Sequence, residues 1–408
     1  IGGAIGDKAW NASISWADAN NVRVESTAHY DVGGLIGYVS GGTIRYSTCT
    51  NGVVKAEADT TGNYANTDKL VGGFIGDGSN ASYSYCGTIN TIVDAETMSE
   101  VGGFAGRIGA GIGQNNSMYY CYSIGKPDEN LKDTIYAAQA APEYYVKGKT
   151  KVGGLVGTVY SQLVRSYSNM NVDAGAGDST NDTAIAGGLA GYYANHYVIS
   201  IVGVTPRYNY SYARLQYNYF AGSVNSTGYA GGAIGRIGLL DHGQGNGNNS
   251  RTKDGKDGEG KTGYGYERDY TSNNIVIAST IDGKDGITKP FAADDREFTG
   301  RNNRLWDGTL INGTSVSQLR LSNGAYDYST YWEATEKFPQ ADLKAADSSN
   351  TALDGKNPLK LQLFKAKHLK NSADTSDTEN WYVDANGNQT KATITTPTYK
   401  RDGADVTD

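Results

Sequence analysis

Four kinds of residue are scarce in this 408-residue chain, and each scarcity removes a class of protein. There are three cysteines and four histidines. His29, His196, His242 and His368 are isolated from one another, so the His-Glu-x-x-His spacing of a zinc protease is missing. No Cys-x-x-Cys pair, phosphate-binding glycine loop or Gly-x-Ser-x-Gly nucleophile turn occurs either. Prolines number only seven, and no stretch approaches the ~20 apolar residues of a membrane-spanning helix. Basic residues are outnumbered, 36 Lys and Arg against 43 Asp and Glu, for a net charge of −7. That balance speaks against nucleic acid as a partner, because no basic stripe is available to neutralise a run of phosphates.

What is abundant is glycine, with 55 residues, and tyrosine, with 31. The glycines lack the three-residue period of collagen. They recur instead in one pattern, Val32-Gly33-Gly34-Leu35-Ile36-Gly37, with copies at 1–6, 70–76, 101–106, 152–157, 186–191 and 230–235. Counted from the second glycine, the intervals are 31, 39, 30, 51, 34 and 44 residues. A recurrence in this range marks an array of stacked supersecondary units. Glycine weakens a strand interior, so a repeated Gly-Gly implies either a positive-φ kink or a close approach of backbones. Strict alternation along a strand sends the first and fifth motif positions one way and the fourth the other. Either the glycines break the alternation and turn all three inward, or the fourth position forms an apolar stripe covered by something else.

A second kind of segment follows each motif. Examples are Ile44 to Val53, Ser82 to Ile89, Met118 to Ile124, Val164 to Val172 and Tyr217 to Val224. These are alternating, β-prone stretches closed by small turn residues. Each repeat therefore reads as strand, glycine corner, strand, turn, strand. The fold class expected is all-β, a right-handed parallel β-solenoid (β-helix) with a C-terminal cap. Inserts at Lys126 to Thr150 and Tyr193 to Tyr212 explain the uneven intervals, and inserts in such arrays usually collect on one side. The expected layout is repeats over 1–240, a flexible Gly/Asn/Asp/Lys insert over 241–274, a last coil and cap over 275–365, and a linker with the start of a further β module over 366–408. In that last part Trp381 to Asp384, the turn Asn386-Gly387 and Lys391 to Thr395 signal a hairpin. Ile1 falls inside a repeat, with no signal peptide or start methionine, so the chain reads as a fragment of a larger one.

The cores Gly33 to Gly37 and Gly153 to Gly157, Cys49 with the Asn51-Gly52-Val53 strand ending, and the run containing Trp306-Asp307-Gly308, Tyr331-Trp332 and Pro358 to Leu361 resemble the GLUG motif repeats of bacterial surface proteins. The resemblance covers about 1–365. It implies a secreted or wall-attached, extracellular setting and no catalytic residue in the repeats themselves. The function expected from it is a non-enzymatic stalk or adhesin segment that binds a host or matrix protein or glycan through loops. Two alternatives stand beside it. One is an accessory, substrate-holding region of a secreted protease of the immunoglobulin-A-peptidase type or of a glycan-degrading enzyme. The other is a self-associating fibre element.

Candidate chemistry is sparse. Asp241, Asp294 and Asp295 are the carboxylates considered for a β-helix hydrolase or lyase, but surface Asp residues are far more often merely solvated. Asp254 to Gly258 and Asp282 to Gly286 suggest weak calcium turns, yet both lack the further oxygens and closing Glu of an EF-hand. No cofactor is expected. Cys49, Cys86 and Cys121 read as one inward column on successive repeats, with Ser166 next in line; adjacent members lie within disulfide range. The insert tyrosines Tyr192, Tyr193, Tyr197, Tyr208 and Tyr210, followed by Tyr212, Tyr217 and Tyr219, are candidates for ligand contact if exposed and for strand packing if buried. Tyr46, Tyr85 and Tyr167 are assigned to structure.

Overall fold

The computed structural model describes residues 2–28, 31–58, 69–109, 117–131, 136, 138–175, 184–202, 205–211, 214–239, 271–272, 274–285, 288–289, 291–293, 304–305 and 309–315, with six short strands between 332 and 406. The fold is all-β, and its main sheets are built by parallel pairing. Each repeat contributes in turn to four sheets. Repeat 3 shows the order: Leu70–Gly72 enters a six-stranded sheet (IV), Ile75–Ser84 a twelve-stranded one (I), Gly87–Ile89 an eight-stranded one (II) and Ile92–Ala95 a nine-stranded one (III). Repeat 4 lays Glu100–Gly102, Ala105–Ile108 with Ser117–Tyr119, Tyr122–Ile124 and Tyr145–Gly148 beside them in register. Parallel pairs continue in this way from Ile5 to Ile311, where Leu310–Ile311 turns back on Thr314–Ser315.

The glycine corner works by close approach, since none of the motif glycines has a positive φ. A Cβ on Gly154 would land on the carbonyl oxygen of Gly188 in the next repeat, and one on Gly153 would land on the oxygen of Val156 within its own corner. The third glycine packs against the other side of the same reversal: a Cβ on Gly106 would sit 2.6 Å from the nitrogen of Val71. Main-chain bonds tie each corner to its successor, as in Phe74 N to Phe104 O at 2.9 Å and Phe104 N to Leu155 O at 2.8 Å. The alternation is broken, and all three apolar positions turn inward. Val32, Leu35 and Ile36, and their equivalents Val101, Phe104 and Ala105, are buried in one core. Phe74 and Phe104 stack at 4.8 Å within it. Opposite them, sheet III supplies Val24, Val54, Val93, Val146, Val172, Val224 and Ile281 in register. Each contributes roughly 1.5–3 kcal/mol on burial.

An eighth corner follows the seven glycine-bearing ones. Lys289 bridges Gly231, Ala292 bridges Ile234, and the nitrogens of Ala233 and Ile234 both donate to Phe291 O. Phe291 thus fills the inward position without a Gly-Gly pair. Sheet pairing accordingly passes through 274–282 and Arg304–Leu305.

Inserts leave from three places. Residues 59–68 and 176–183 fall between sheets III and IV, and 125–144 between sheets II and III. The others interrupt sheet I. Its strands in repeats 1 to 3, such as Ile36–Arg45, run unbroken past a left-handed point at Asn11, Gly41 and Asn80. From repeat 4 on, the second half of that strand is a separate one, beginning at Ser117, Gln162, Arg214 and Thr271. The segment 125–144 is fastened to the sheets: Asn169 accepts from Gly125 N at 2.8 Å and donates to Ala138 O at 2.7 Å, while Asn171 donates to the carbonyls of Ala140, Ala141 and Tyr144.

Most of the expected cap and following module lies outside the described residues. Within it, Trp332–Ala334 pairs antiparallel with Leu359–Leu361, and Tyr399–Arg401 with Ala404–Val406. The signalled hairpin pairs Asn380–Val383 with Gln389–Ala392, two residues earlier than expected on its second arm.

Candidate functional site

The insert in repeat 6 is a hairpin. Ala190–Val202 continues straight out of sheet I and folds back on Thr205–Ser211, with Tyr197 opposite Tyr210 and Ile199 opposite Tyr208. The candidate tyrosines divide at its root. Tyr193 is 2% exposed and belongs to the core, so it is a packing residue and not a ligand contact. Tyr192, one residue earlier, faces out between Thr158 and Arg236 in register. Tyr212 lies outside the described residues.

Beneath Tyr192 is a charged cluster whose members are far apart in the chain. Lys151 Nζ lies 5.2 Å from the centre of the Tyr192 ring and 2.7 Å from Glu100 Oε1. Arg107 Nε reaches Glu100 Oε2 at 2.8 Å, and its guanidinium lies 6.0 Å from the Tyr160 ring. The glycine corner creates this arrangement, because it folds sheet IV, carrying Glu100 and Lys151, against the start of sheet I, carrying Arg107 and Tyr192. The Glu100 side chain is 1% exposed. Burial pushes its carboxyl upward, but the hydrogen bonds and charges of Arg107 and Lys151 outweigh this and leave the pKa below the usual value. Two cations thus share one buried carboxylate beside the hairpin root, and a second carboxylate, Asp77, registers with Arg107.

A second surface feature is a column at the corner between sheets I and II. Trp16, Tyr46, Tyr85, Tyr120, Arg165 and Tyr217 occupy it in successive repeats, all with φ between 50° and 60°. Trp16, Tyr46, Tyr85 and Tyr120 stack at 4.6, 5.0 and 4.9 Å, and the Arg165 guanidinium lies 5.3 Å over the Tyr120 ring. Bulky side chains rarely adopt this backbone region, which costs roughly 1–2 kcal/mol per residue. The corner nitrogens of Trp16, Tyr46, Tyr85, Tyr120 and Arg165 donate to the next repeat, as Tyr85 N does to Tyr119 O at 3.1 Å. Trp16, at one end, is 52% exposed. Tyr167 and Tyr219 belong to a different, buried column in sheet II and stack at 5.0 Å.

The cysteines do not form a single column. Thr88 registers with Cys49, whereas Gly87 registers with Thr48 and Tyr122. Cys86 and Cys121 therefore share their place with Ser47 and Ser166, and Cys49 lies two residues further along. The apparent match of Tyr46-Ser47-Thr48-Cys49 with Tyr83-Ser84-Tyr85-Cys86 misleads, because Tyr46 stacks on Tyr85 and not on Tyr83. All three are buried thiols.

Among the described residues no group of three His, Cys, Asp or Glu side chains could hold a metal ion. At the Asp282 turn, Asn312 donates to Asp285 Oδ1 at 2.7 Å and accepts from Gly283 N at 2.8 Å, so this turn is joined to the next repeat. Asp241, Asp294, Asp295 and the Asp254 to Gly258 turn lie outside the described residues, as do His29, His242 and His368; His196 pairs with Ser211 in the hairpin. No helix among the described residues is long and apolar enough to cross a membrane. Comparisons with protein-family models, with curated proteins and with solved structures found no match.

Proposed function

We propose that the repeats form a right-handed parallel β-solenoid of the GLUG-like kind, acting as a non-catalytic extracellular scaffold that presents its inserts to a protein or glycan partner. Right-handed crossover is the general preference for parallel strands. The observation that carries this reading is register that survives insertion. Val159 pairs with Tyr193 and Gln162 with Arg214, although two residues separate the first pair's strand from its continuation in repeat 5 and twenty do so in repeat 6. A frame of this kind absorbs loops of any length at small entropic cost and leaves recognition to them. The hairpin of repeat 6 is the leading recognition element. Its strands contain Tyr197, Tyr208 and Tyr210, and its root holds the half-buried Tyr192 beside Lys151.

The test replaces 194–213 by the two-residue turn Tyr160-Ser161 of repeat 5. Parent and shortened chains are then compared on arrays of matrix proteins and glycans. Loss of a target bound by the parent, with a cooperative β-type melt retained, supports the reading. Equal binding by both chains, or no target for the parent, overturns it.

A further inference from the structure

We propose that Cys86 and Cys121 are a disulfide-forming pair that cross-links repeats 3 and 4, with Cys49 remaining a thiol. Each of the two immediately precedes a registered partner, Gly87 or Tyr122, so they occupy one place on adjacent parallel strands. Such neighbours are about 4.8 Å apart at Cα, inside the 4.4–6.8 Å range of a disulfide. Cys49 has Ala19 and Thr88 as its registered neighbours and no cysteine.

The rest of the column shows why sulfur here needs a separate explanation. Four of its other members use an oxygen to accept a backbone N–H from the preceding repeat: Ser47 from Ala17 at 3.1 Å, Ser166 from Cys121 at 3.1 Å, Asn218 from Ser166 at 2.9 Å and Asn274 from Asn218 at 2.9 Å. Sulfur is a weak acceptor and performs that task poorly. Cys86 Sγ instead donates to Ile44 O at 3.5 Å and Ser84 O at 3.3 Å, and Cys121 Sγ to Tyr119 O at 3.4 Å. Two consecutive repeats thus replace an accepting oxygen with a thiol, and they are the two whose cysteines share one place on adjacent strands.

The oxidant is a low-molecular-weight or protein disulfide. One cysteine, as thiolate, attacks it and releases a thiolate; the second, deprotonated in turn, attacks the mixed disulfide and releases the other half. Two thiols become one disulfide, and the oxidant becomes two thiols. Burial and the neighbouring thiol hold Cys121 well above its ordinary pKa, so thiolate is scarce in the folded chain and exchange belongs to folding. The proposal is independent of the binding role above.

The test refolds the full chain in a redox buffer of oxidised and reduced glutathione, then blocks free thiols and maps tryptic peptides without reduction. Cleavage after Lys55 and Arg107 places the three cysteines on separate peptides. The expected result is one free thiol, at Cys49, and one linked pair, Cys86 with Cys121. The linked chain should melt at a higher temperature and lose that increment on reduction with a phosphine. Cys49→Ser should form the same link, and Cys86→Ser or Cys121→Ser none. Three blocked thiols after refolding, or a link that includes Cys49, would overturn the proposal.

Discussion

The carboxylate of Glu100 meets the ammonium of Lys151, its registered neighbour one repeat later, at 2.7 Å. Arg107 takes the other carboxylate oxygen. Glu100→Gln should therefore remove the buried anion that Lys151 and Arg107 share, and a loss of about 3–5 kcal/mol is expected. The pH dependence has a definite sign. A carboxyl whose folded pKa is depressed contributes stability that is fully present above its unfolded value, about 4.3, and disappears as pH falls through the folded value. Urea midpoints at pH 7 and pH 3 should fall less between the two conditions in Glu100→Gln than in the parent. An unchanged acid slope would show that the pair does not govern stability.

Gly154→Val places a branched side chain where the oxygen of Gly188 already lies, with Ser168 Oγ 2.8 Å from the Cβ position. At least ~3 kcal/mol should be lost, because the obstacle is backbone and cannot swing away. Gly175→Val is the matched control, since its Cβ would meet only Gly148 O at an ordinary 3.6 Å. Comparable losses in both variants, read from denaturant melts, would contradict the close-approach account of the corner.

At Tyr85, glycine should be the better small replacement. Both Tyr85→Ala and Tyr85→Gly forfeit the stacks on Tyr46 and Tyr120. Only alanine keeps a Cβ at φ 58°. The glycine variant should be more stable by ~1 kcal/mol, the reverse of the order found in ordinary strands. Chemical denaturation of the two variants decides it.

Asn169→Ala removes the amide that holds Gly125 and Ala138. Amide exchange should rise by an order of magnitude or more across 125–144, as a loss of about 1–3 kcal/mol implies. Val146 and Val172, paired in the strands beyond, should keep their protection. Uniform acceleration throughout the repeats would mean that the segment and the frame open as one unit.

The glycine corners are legible in the sequence because the same steric demand is written seven times. The eighth is not, because Lys289 to Ala292 meets it without glycine and leaves only Phe291 as a trace. Composition also conceals the left-handed column. Trp16, Tyr85 and Arg165 are among the last residues that propensity would place at positive φ, and it is stacking between repeats that holds them there. The Glu100 cluster escapes for a different reason. Glu100 and Lys151 are 51 positions apart, and only the strand register brings them together. The cysteine column is misread because tyrosines two positions apart, Tyr83 and Tyr85, give two alignments that periodicity cannot separate. Of the candidate tyrosines, Tyr192 and Tyr193 show that one step along a strand decides between surface and core.

Along the outer side of sheet III, registered positions carry Glu25, Lys55, Asp94, Lys147 and Asp173, so the sign changes at every step. Parity is the property this confers. A strand that skipped its neighbour and paired with the next but one would set Lys55 beside Lys147, or Asp94 beside Asp173. Like charges directly opposite are unfavourable, so the commonest misassembly open to a chain of similar units, docking one unit out of turn, is penalised at each position. The correct order gains Lys147 contacts to Glu96 at 2.8 Å and Asp173 at 3.9 Å. Salt screens such surface terms, so ionic strength sets how strictly the repeats count themselves.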